Sequence, residues 1–162
     1  MPVADMLLPE FDQEMATTRR LLERVPGDRG EWKPHPKSFA LGHLAQLVAT
    51  MPGWITGTLR QPHIDLASSR GYSFETTDTL VERFDHLVRE AREAIAETSD
   101  EALATDWSLR RGEQTLLTSS RGSAVRMHVN HLIHHRGQLS VYLRLLDVPL
   151  PSIYGPTADS PW

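Results

Sequence analysis

The sequence predicts an all-α protein, a four-helix bundle with long crossover connections, from three observations. Apolar residues recur every three or four positions in four separate segments, which is the period of an amphipathic helix. No strong strand pattern interrupts them. The second and third segments are each followed by a connection longer than the usual helix loop. Four helices around one core form a bundle, and the long connections indicate crossovers between its helices.

The first predicted helix covers about residues 4–24, and the second begins near Ser38. Pro26 and Gly27 end the first helix. Ser38 is the expected N-cap of the second. Pro52 is expected to kink that helix or to end its regular part, because proline lacks a backbone donor and crowds the preceding turn. The apolar faces of the two helices are formed by Leu7, Phe11, Met15 and Leu22, and by Ala40, Leu44, Leu47, Met51 and Trp54.

The third and fourth predicted helices lie in the second half of the chain, at about Thr77–Thr98 and Ser120–Leu146. The third has the clearest amphipathic pattern, because charged residues occupy the side opposite its apolar face. That apolar face is formed by Leu80, Phe84, Leu87, Ala91 and Ile95.

The remaining segments are predicted to be connections and a tail of one domain. Trp107–Leu117 can form a short hairpin around Gly112, and the tail after Asp147 is too rich in proline for regular structure. A chain of 162 residues has the size of a single domain, so residues 1–162 are expected to share one core.

The composition excludes several classes of protein. A net charge of −4 provides no basic face for a nucleic-acid backbone, so no nucleic-acid partner is expected. The absence of cysteine excludes a disulfide scaffold, a thiolate metal site and a cysteine nucleophile, and it fits a reducing cytoplasm. The N-terminus MPVADMLLPE lacks the basic region of a signal peptide. The uncharged segment Ser38–Leu59 contains too many Gly, Thr, Gln and His residues for lipid, so no membrane partner is expected.

The stretch NHLIHHRGQL, residues 130–139, holds three of the 8 histidines. On a helical wheel His131 and His135 point the same way, at the edge of the apolar face, and His128 falls close to them. A different strip of this helix is predicted to be a second packing face, suited to a homodimer contact, and comprises Met127, His134, Val141 and Leu145.

Two imidazoles one helical turn apart can bind a single metal ion, because side chains at i and i+4 converge. His43 on the apolar face of the second helix is the candidate third ligand for the pair His131 and His135. Three such ligands leave coordination positions for water or substrate, as in catalytic metal sites. Two alternatives stay open on these grounds: His43 is a hydrogen-bonded core residue, or the histidines form a metal-free polar network.

Three motifs together give the chain a family resemblance. LGHLAQL at residues 41–47, NHLIHHRGQL at residues 130–139 and the YGPTAD tail resemble the DinB/YfiT-like superfamily of metalloenzymes, over nearly the whole chain. The resemblance implies a four-helix bundle, often a homodimer, that binds a divalent metal through one histidine of the second helix and the HxxxH of the fourth. Carried over to this sequence, the implied ligands are His43, His131 and His135.

The resemblance also implies a chemistry. We expect a metal-dependent enzyme, a thiol-dependent S-transferase or a hydrolase, that acts on a small electrophilic molecule. Its expected cofactors are a divalent ion, zinc or nickel, and a low-molecular-weight thiol. His128, Gln138 and Tyr142 are expected to orient the ligands or to face the substrate, and Arg136 to face solvent or an acidic neighbour. The alternative is a non-catalytic, metal-binding and stress-associated dimeric bundle protein.

Overall fold

Long helices make up most of the protein, and their bounds lie close to those predicted. The computed structural model describes residues 2–68, 71–74 and 76–161. Two 3-10 turns lie at Gly27–Arg29 and Leu66–Ser68. In chain order the other elements are α1 (Val3–Leu22), α2 (Leu41–Arg60), β1 (His63–Asp65), α3 (Thr77–Glu97), α4 (Asp100–Ala104), β2 (Asp106–Arg111), β3 (Gln114–Ser120) and α5 (Arg121–Leu145).

The four long helices, α1, α2, α3 and α5, bury one shared apolar core. Most side chains on the predicted apolar faces are buried in it, which confirms the helical periods read from the sequence. Each such side chain stabilises the fold by about 1.5–3 kcal/mol relative to an exposed position. Buried residues that the sequence placed on these faces include Phe11, Met15, Leu44, Met51, Leu80, Phe84 and Ile95.

The protein contains a three-stranded sheet, so the prediction that it is all-α is wrong. Its order is β1-β2-β3, with β1 parallel to β2 and β2 antiparallel to β3. β2 and β3 form the hairpin expected around Gly112, whose φ of 59° suits glycine. The Asp65 carboxylate accepts a 2.9 Å hydrogen bond from the Gly112 backbone N–H and so joins β1 to the hairpin turn. The sequence hides the sheet because β1 has three residues and β3 is mostly exposed, without apolar alternation.

Helix α2 starts at Leu41, and the prediction that Ser38 caps it is wrong. Its first backbone N–H groups donate to carbonyls of the preceding loop, from Leu41 to Trp32 and from Gly42 to Gly30, each at 2.9 Å. These bonds satisfy donors that an α-helix leaves free at its N-terminus, so the loop takes the place of a side-chain cap. The first turn of α2 is therefore fixed by the loop before it.

Helix α2 continues through Pro52 to Arg60, so Pro52 does not end its regular part. The uncharged segment Ser38–Leu59 lies mostly in this helix, which buries the polar side chains of Gln46 and Thr58 beside its apolar ones. Among the described residues, no helix is long and apolar enough to cross a membrane.

Candidate metal centre

Helix α5 brings His131 and His135 together as their spacing predicts. Their Nε2 atoms are 2.9 Å apart and their ring centroids 4.6 Å apart. The side chain of His135 is buried and that of His131 is half-buried. The two imidazoles converge because they lie one turn apart on the same helix.

Gln138 fixes the orientation of the His135 ring. Its Oε1 lies 2.7 Å from Nδ1 of His135, and its Nε2 lies 3.2 Å from Nε2 of His134. With the amide oxygen as the acceptor, this contact assigns the proton of the His135 ring to Nδ1. In that neutral tautomer the lone pair of Nε2 points toward His131, as in an imidazole that binds a metal through Nε2.

His43 lies in the first turn of α2, between two aromatic rings. It stacks on Phe39 at a centroid distance of 4.4 Å, and Tyr72 lies 4.3 Å from it on centroids. Phe39 also approaches His135, at 6.4 Å. Within residues 2–68, 71–74 and 76–161, no group of three or more His, Asp or Glu side chains is arranged to hold one metal ion. The structure thus brings two of the predicted ligands into contact and places the third against Phe39, a ring that also approaches His135.

The electrostatics keep two of these histidines neutral near pH 7. Burial lowers the pKa of His43, and the charge of Lys33 lowers it further. Burial also lowers the pKa of His131, with smaller contributions from His135 and His134. Neutral imidazole is the form that binds metal, because the ligand nitrogen must be free of its proton.

The donor chemistry of the His131 and His135 pair suits a divalent ion, because imidazole nitrogens bind zinc, nickel and related ions. Two nitrogens that are each about 2.1 Å from one tetrahedral ion lie about 3.4 Å apart. The two Nε2 atoms are 2.9 Å apart, which is a hydrogen-bond distance, so the two rings would have to separate slightly to hold a tetrahedral ion.

An open groove of about 400 Å³ adjoins His135. Gln138 and Tyr142 both line it, as expected for residues that face a substrate, and the Tyr142 hydroxyl donates to the Phe39 carbonyl at 3.3 Å. The tail residue Tyr154 is not among the described lining residues. The groove is lined by Lys37, Ser38, Phe39, His135, Gln138, Val141 and Tyr142.

His128 lies away from the groove, deep in the core. Its Nε2 is 3.0 Å from Oγ1 of Thr58, and its ring meets the edges of Trp54 and Trp107, each at 5.7 Å on centroids. Its Nδ1 has no hydrogen-bond partner within the part of the chain that the structure describes. Trp54 also packs on His131 at 5.7 Å. Trp54 therefore lies between His128 and His131, and His128 is not among the described residues that line the groove.

Comparison with known proteins identifies the family. The model of the DinB family matches residues 1–161 of the chain. The chain belongs to the DinB family. The uncharacterized protein YrdA of Bacillus subtilis (strain 168) is 22% identical over 159 residues, which are 96% of this chain and 90% of YrdA.

Two solved structures share the fold of this DinB family protein. The DinB-like protein YjoA of Bacillus subtilis is 18% identical, with a TM-score of 0.72 over 91% of this chain and 97% of YjoA. A DinB-like protein of Bacillus cereus ATCC 10987 is 21% identical, with a TM-score of 0.71 over 91% of this chain and 95% of that protein. The family resemblance read from the sequence is confirmed, and the fold is DinB-like.

The loop between α2 and α3 presents Tyr72 to His43. Within that loop, the Phe74 ring packs so closely on the first turn of α2 that a Cβ at Gly42 would lie 2.7 Å from the Cβ of Phe74. The Gln46 side chain donates to the Ser73 carbonyl at 3.0 Å. Sequence reasoning missed both rings that flank the histidine; the glycine directly before it was the available signal of close packing.

Replacing Gly42 by Ala is expected to destabilise this DinB family protein by about 1–3 kcal/mol, because the new methyl group overpacks against Phe74. The loop must shift, so the ring contact of Tyr72 with His43 should loosen. Urea unfolding measures the first effect and NMR shifts of the His43 ring the second. Gly137→Ala on α5 is the matched control: nothing lies within 4 Å of its added Cβ, and alanine favours helix, so stability should rise. Equal effects of both substitutions would contradict the packing argument.

Protonation of His128 is expected to destabilise the metal-free fold in acid. Burial, and to a smaller extent His131, lower the pKa of His128 to about 4. In the unfolded chain the pKa of His128 is about 6.5. The stability that the fold keeps while His128 is neutral is therefore complete above pH 6.5 and is lost as the pH falls toward 4, by up to about 3 kcal/mol.

Urea unfolding at pH 7 and pH 4.5 measures this loss. His128→Gln should lose about 2–3 kcal/mol less than the natural protein between the two pH values. His86→Gln, at an exposed position on α3, should behave like the natural protein. The same acid loss in all three proteins would show that His128 is not the titrating group.

Proposed function

We propose that this DinB family protein is a divalent-metal-dependent enzyme whose ion is held by His43, His131 and His135. The proposed frame is a four-helix bundle of α1, α2, α3 and α5, with α2 and α5 supplying the ligands. The observation that supports it most directly is the pair of Nε2 atoms 2.9 Å apart beside an open groove. Holding all three ligands on one ion requires the His43 ring to move relative to Phe39 and Tyr72.

The proposed reaction joins a low-molecular-weight thiol to a small electrophile. A zinc or nickel ion at this site would supply Lewis-acid chemistry, which favours the deprotonated form of a thiol or a water. The thiol sulfur forms a bond to an electrophilic carbon, the leaving group departs with its electron pair, and the thiol proton passes to solvent. Hydrolysis follows the same course with water as the nucleophile.

The residues of the chain contribute orientation and binding. Gln138 holds the proton of His135 on Nδ1 and keeps Nε2 free. Ser38 brings a hydroxyl group to the groove that can donate a hydrogen bond to a bound molecule, and the Tyr142 hydroxyl, which donates to the Phe39 carbonyl, can accept one. The chain has no cysteine, so the thiol of an S-transferase reaction would come from a cofactor.

The proposal includes a homodimer formed through one strip of α5. Val141 and Leu145 on this strip are each 57% exposed, which is high for large apolar side chains. Light scattering after size-exclusion chromatography tests this part. A mass of one chain at micromolar concentration would contradict it.

The proposed activity is tested with untagged protein reconstituted with zinc or nickel. A panel of cellular thiols is paired with 1-chloro-2,4-dinitrobenzene, and ester substrates test hydrolysis. We expect turnover that disappears with EDTA and with His135→Ala, and that survives in His134→Ala. Metal binding without turnover would show that the protein is a non-catalytic metal-binding protein. If the protein binds neither ion, and neither ion raises its melting temperature, the histidines instead form a metal-free network.

A further inference from the structure

We propose that the groove beside His135 binds an organic anion with an apolar body, whose carboxylate or equivalent group pairs with Lys37. Such an anion would be the substrate of the proposed enzyme, and this role rests on the proposed function. It depends on one juxtaposition: the cationic Lys37, apolar walls and the predicted ligand His135 share a single groove.

The apolar part of the groove is unusually open to solvent. Phe39 is 45% exposed, although it is a large apolar side chain. Tyr142 completes these walls. A volume of about 400 Å³ lies in the range of small-molecule sites, about 300–1,000 Å³, which are lined by apolar groups with a few polar ones. An apolar body of a ligand would cover this surface.

The groove carries one positive charge. Lys37 is the only Lys, Arg, Asp or Glu among the described lining residues, so its ammonium group has no carboxylate partner within the groove. The chain contains only one other lysine, Lys33, whose charge acts on His43. Both cations therefore belong to the loop that precedes α2, and both favour an anion on this side of the molecule.

The polar groups of the groove favour a reacting centre beside them. The side chains of His135 and Gln138 line the groove and contact each other at 2.7 Å. A ligand with its anionic group at Lys37 and its body against Phe39 would extend toward His135. Its electrophilic atom would then lie beside the proposed metal ligands.

The test uses 4-phenylbutyrate and its uncharged isostere 4-phenylbutanamide as probes. Each is titrated into EDTA-treated, full-length protein, and binding is followed by two-dimensional amide and side-chain NMR. We expect 4-phenylbutyrate to shift the signals of Phe39, Gln138 and Tyr142 and to bind roughly three- to ten-fold more tightly than the amide, as for a hydrogen-bonded charge at a partly exposed site.

Matched variants distinguish the effect of the Lys37 charge on binding from an effect on folding. Lys37→Gln should remove the preference for the acid, Lys37→Arg should keep it, and Lys33→Gln should change it less than two-fold. The same NMR spectra report whether each variant is folded. Equal affinity for the acid and the amide, shifts confined to another surface, or an unaltered preference in Lys37→Gln would overturn the proposal.

The outcome is independent of the proposed metal site. Because the protein is metal-free in this titration, a failure to bind zinc or to turn over thiols leaves the predicted shifts unchanged. Conversely, a protein that binds metal and turns over thiols but does not distinguish the acid from the amide would retain the proposed function and reject the anionic substrate class.

Discussion

Replacing Arg136 by Met is expected to lower the free energy of unfolding by about 3–5 kcal/mol, because the change leaves a buried carboxylate without its partner. The Arg136 side chain is 1% exposed, and its Nη1 lies 2.6 Å from Oε2 of Glu14. Arg136 also donates to Oγ1 of Thr18 at 3.2 Å and to the hydroxyl of Tyr154 at 2.8 Å. The Tyr154 hydroxyl donates in turn to Glu14, at 3.0 Å from each carboxylate oxygen.

Arg144→Met is the matched control for this prediction. Arg144 lies on the same helix and pairs with Asp159, but its side chain is 43% exposed, so its loss should cost less than about 1 kcal/mol. The double variant Glu14→Gln with Arg136→Met should be more stable than Arg136→Met alone, since no charge is then left buried. Guanidinium unfolding measures all of these values. A cost below 1 kcal/mol for Arg136→Met would show that Glu14 is not held by the arginine.

Removing any one proposed ligand is expected to weaken zinc or nickel binding by more than roughly 100-fold. Changes to groups that only orient a ligand typically cost about 10–100-fold, and losing the ligand itself costs more. His43→Ala, His131→Ala and His135→Ala should therefore form one class. Gln138→Ala should fall between that class and the natural protein, because Gln138 orients His135 through a 2.7 Å hydrogen bond. Competition with a chromophoric chelator gives the dissociation constants.

His134→Ala is the internal control for the ligand series. His134 is exposed and contacts Gln138 through a longer bond of 3.2 Å, so its removal should leave metal affinity within a few-fold of the natural value. Circular dichroism shows whether each variant remains helical. Equal losses for His134→Ala and His131→Ala would contradict the division of the histidines into two faces.

The helices and the histidine pair could be predicted from local spacing alone. The period of 3.6 residues placed Phe11, Met51 and Phe84 in the core, and an interval of four residues placed His131 beside His135. Both predictions depend only on the geometry of one helix. Such geometry is fixed by the backbone, so residue order is enough to reveal it.

Features that join distant segments were missed. The parallel pairing of β1 with β2 connects two separate crossovers, and no period in either one signals it. Arg136 was expected to face solvent or an acidic neighbour; it does pair with an acidic residue, Glu14, but the burial of this pair, 122 residues apart in sequence, was not predicted. The placement of Phe39 and Tyr72 around His43 likewise depends on loops whose course the sequence does not specify.

The central claim, that His43 joins His131 and His135 on a single ion, is tested most directly by a crystal structure of the metal-loaded protein with anomalous scattering at the absorption edge of the ion. We predict one anomalous peak about 2.0–2.2 Å from a ring nitrogen of each of the three histidines. A peak bound only by the α5 pair, with His43 still stacked between Phe39 and Tyr72, or a peak elsewhere on the protein, would contradict it.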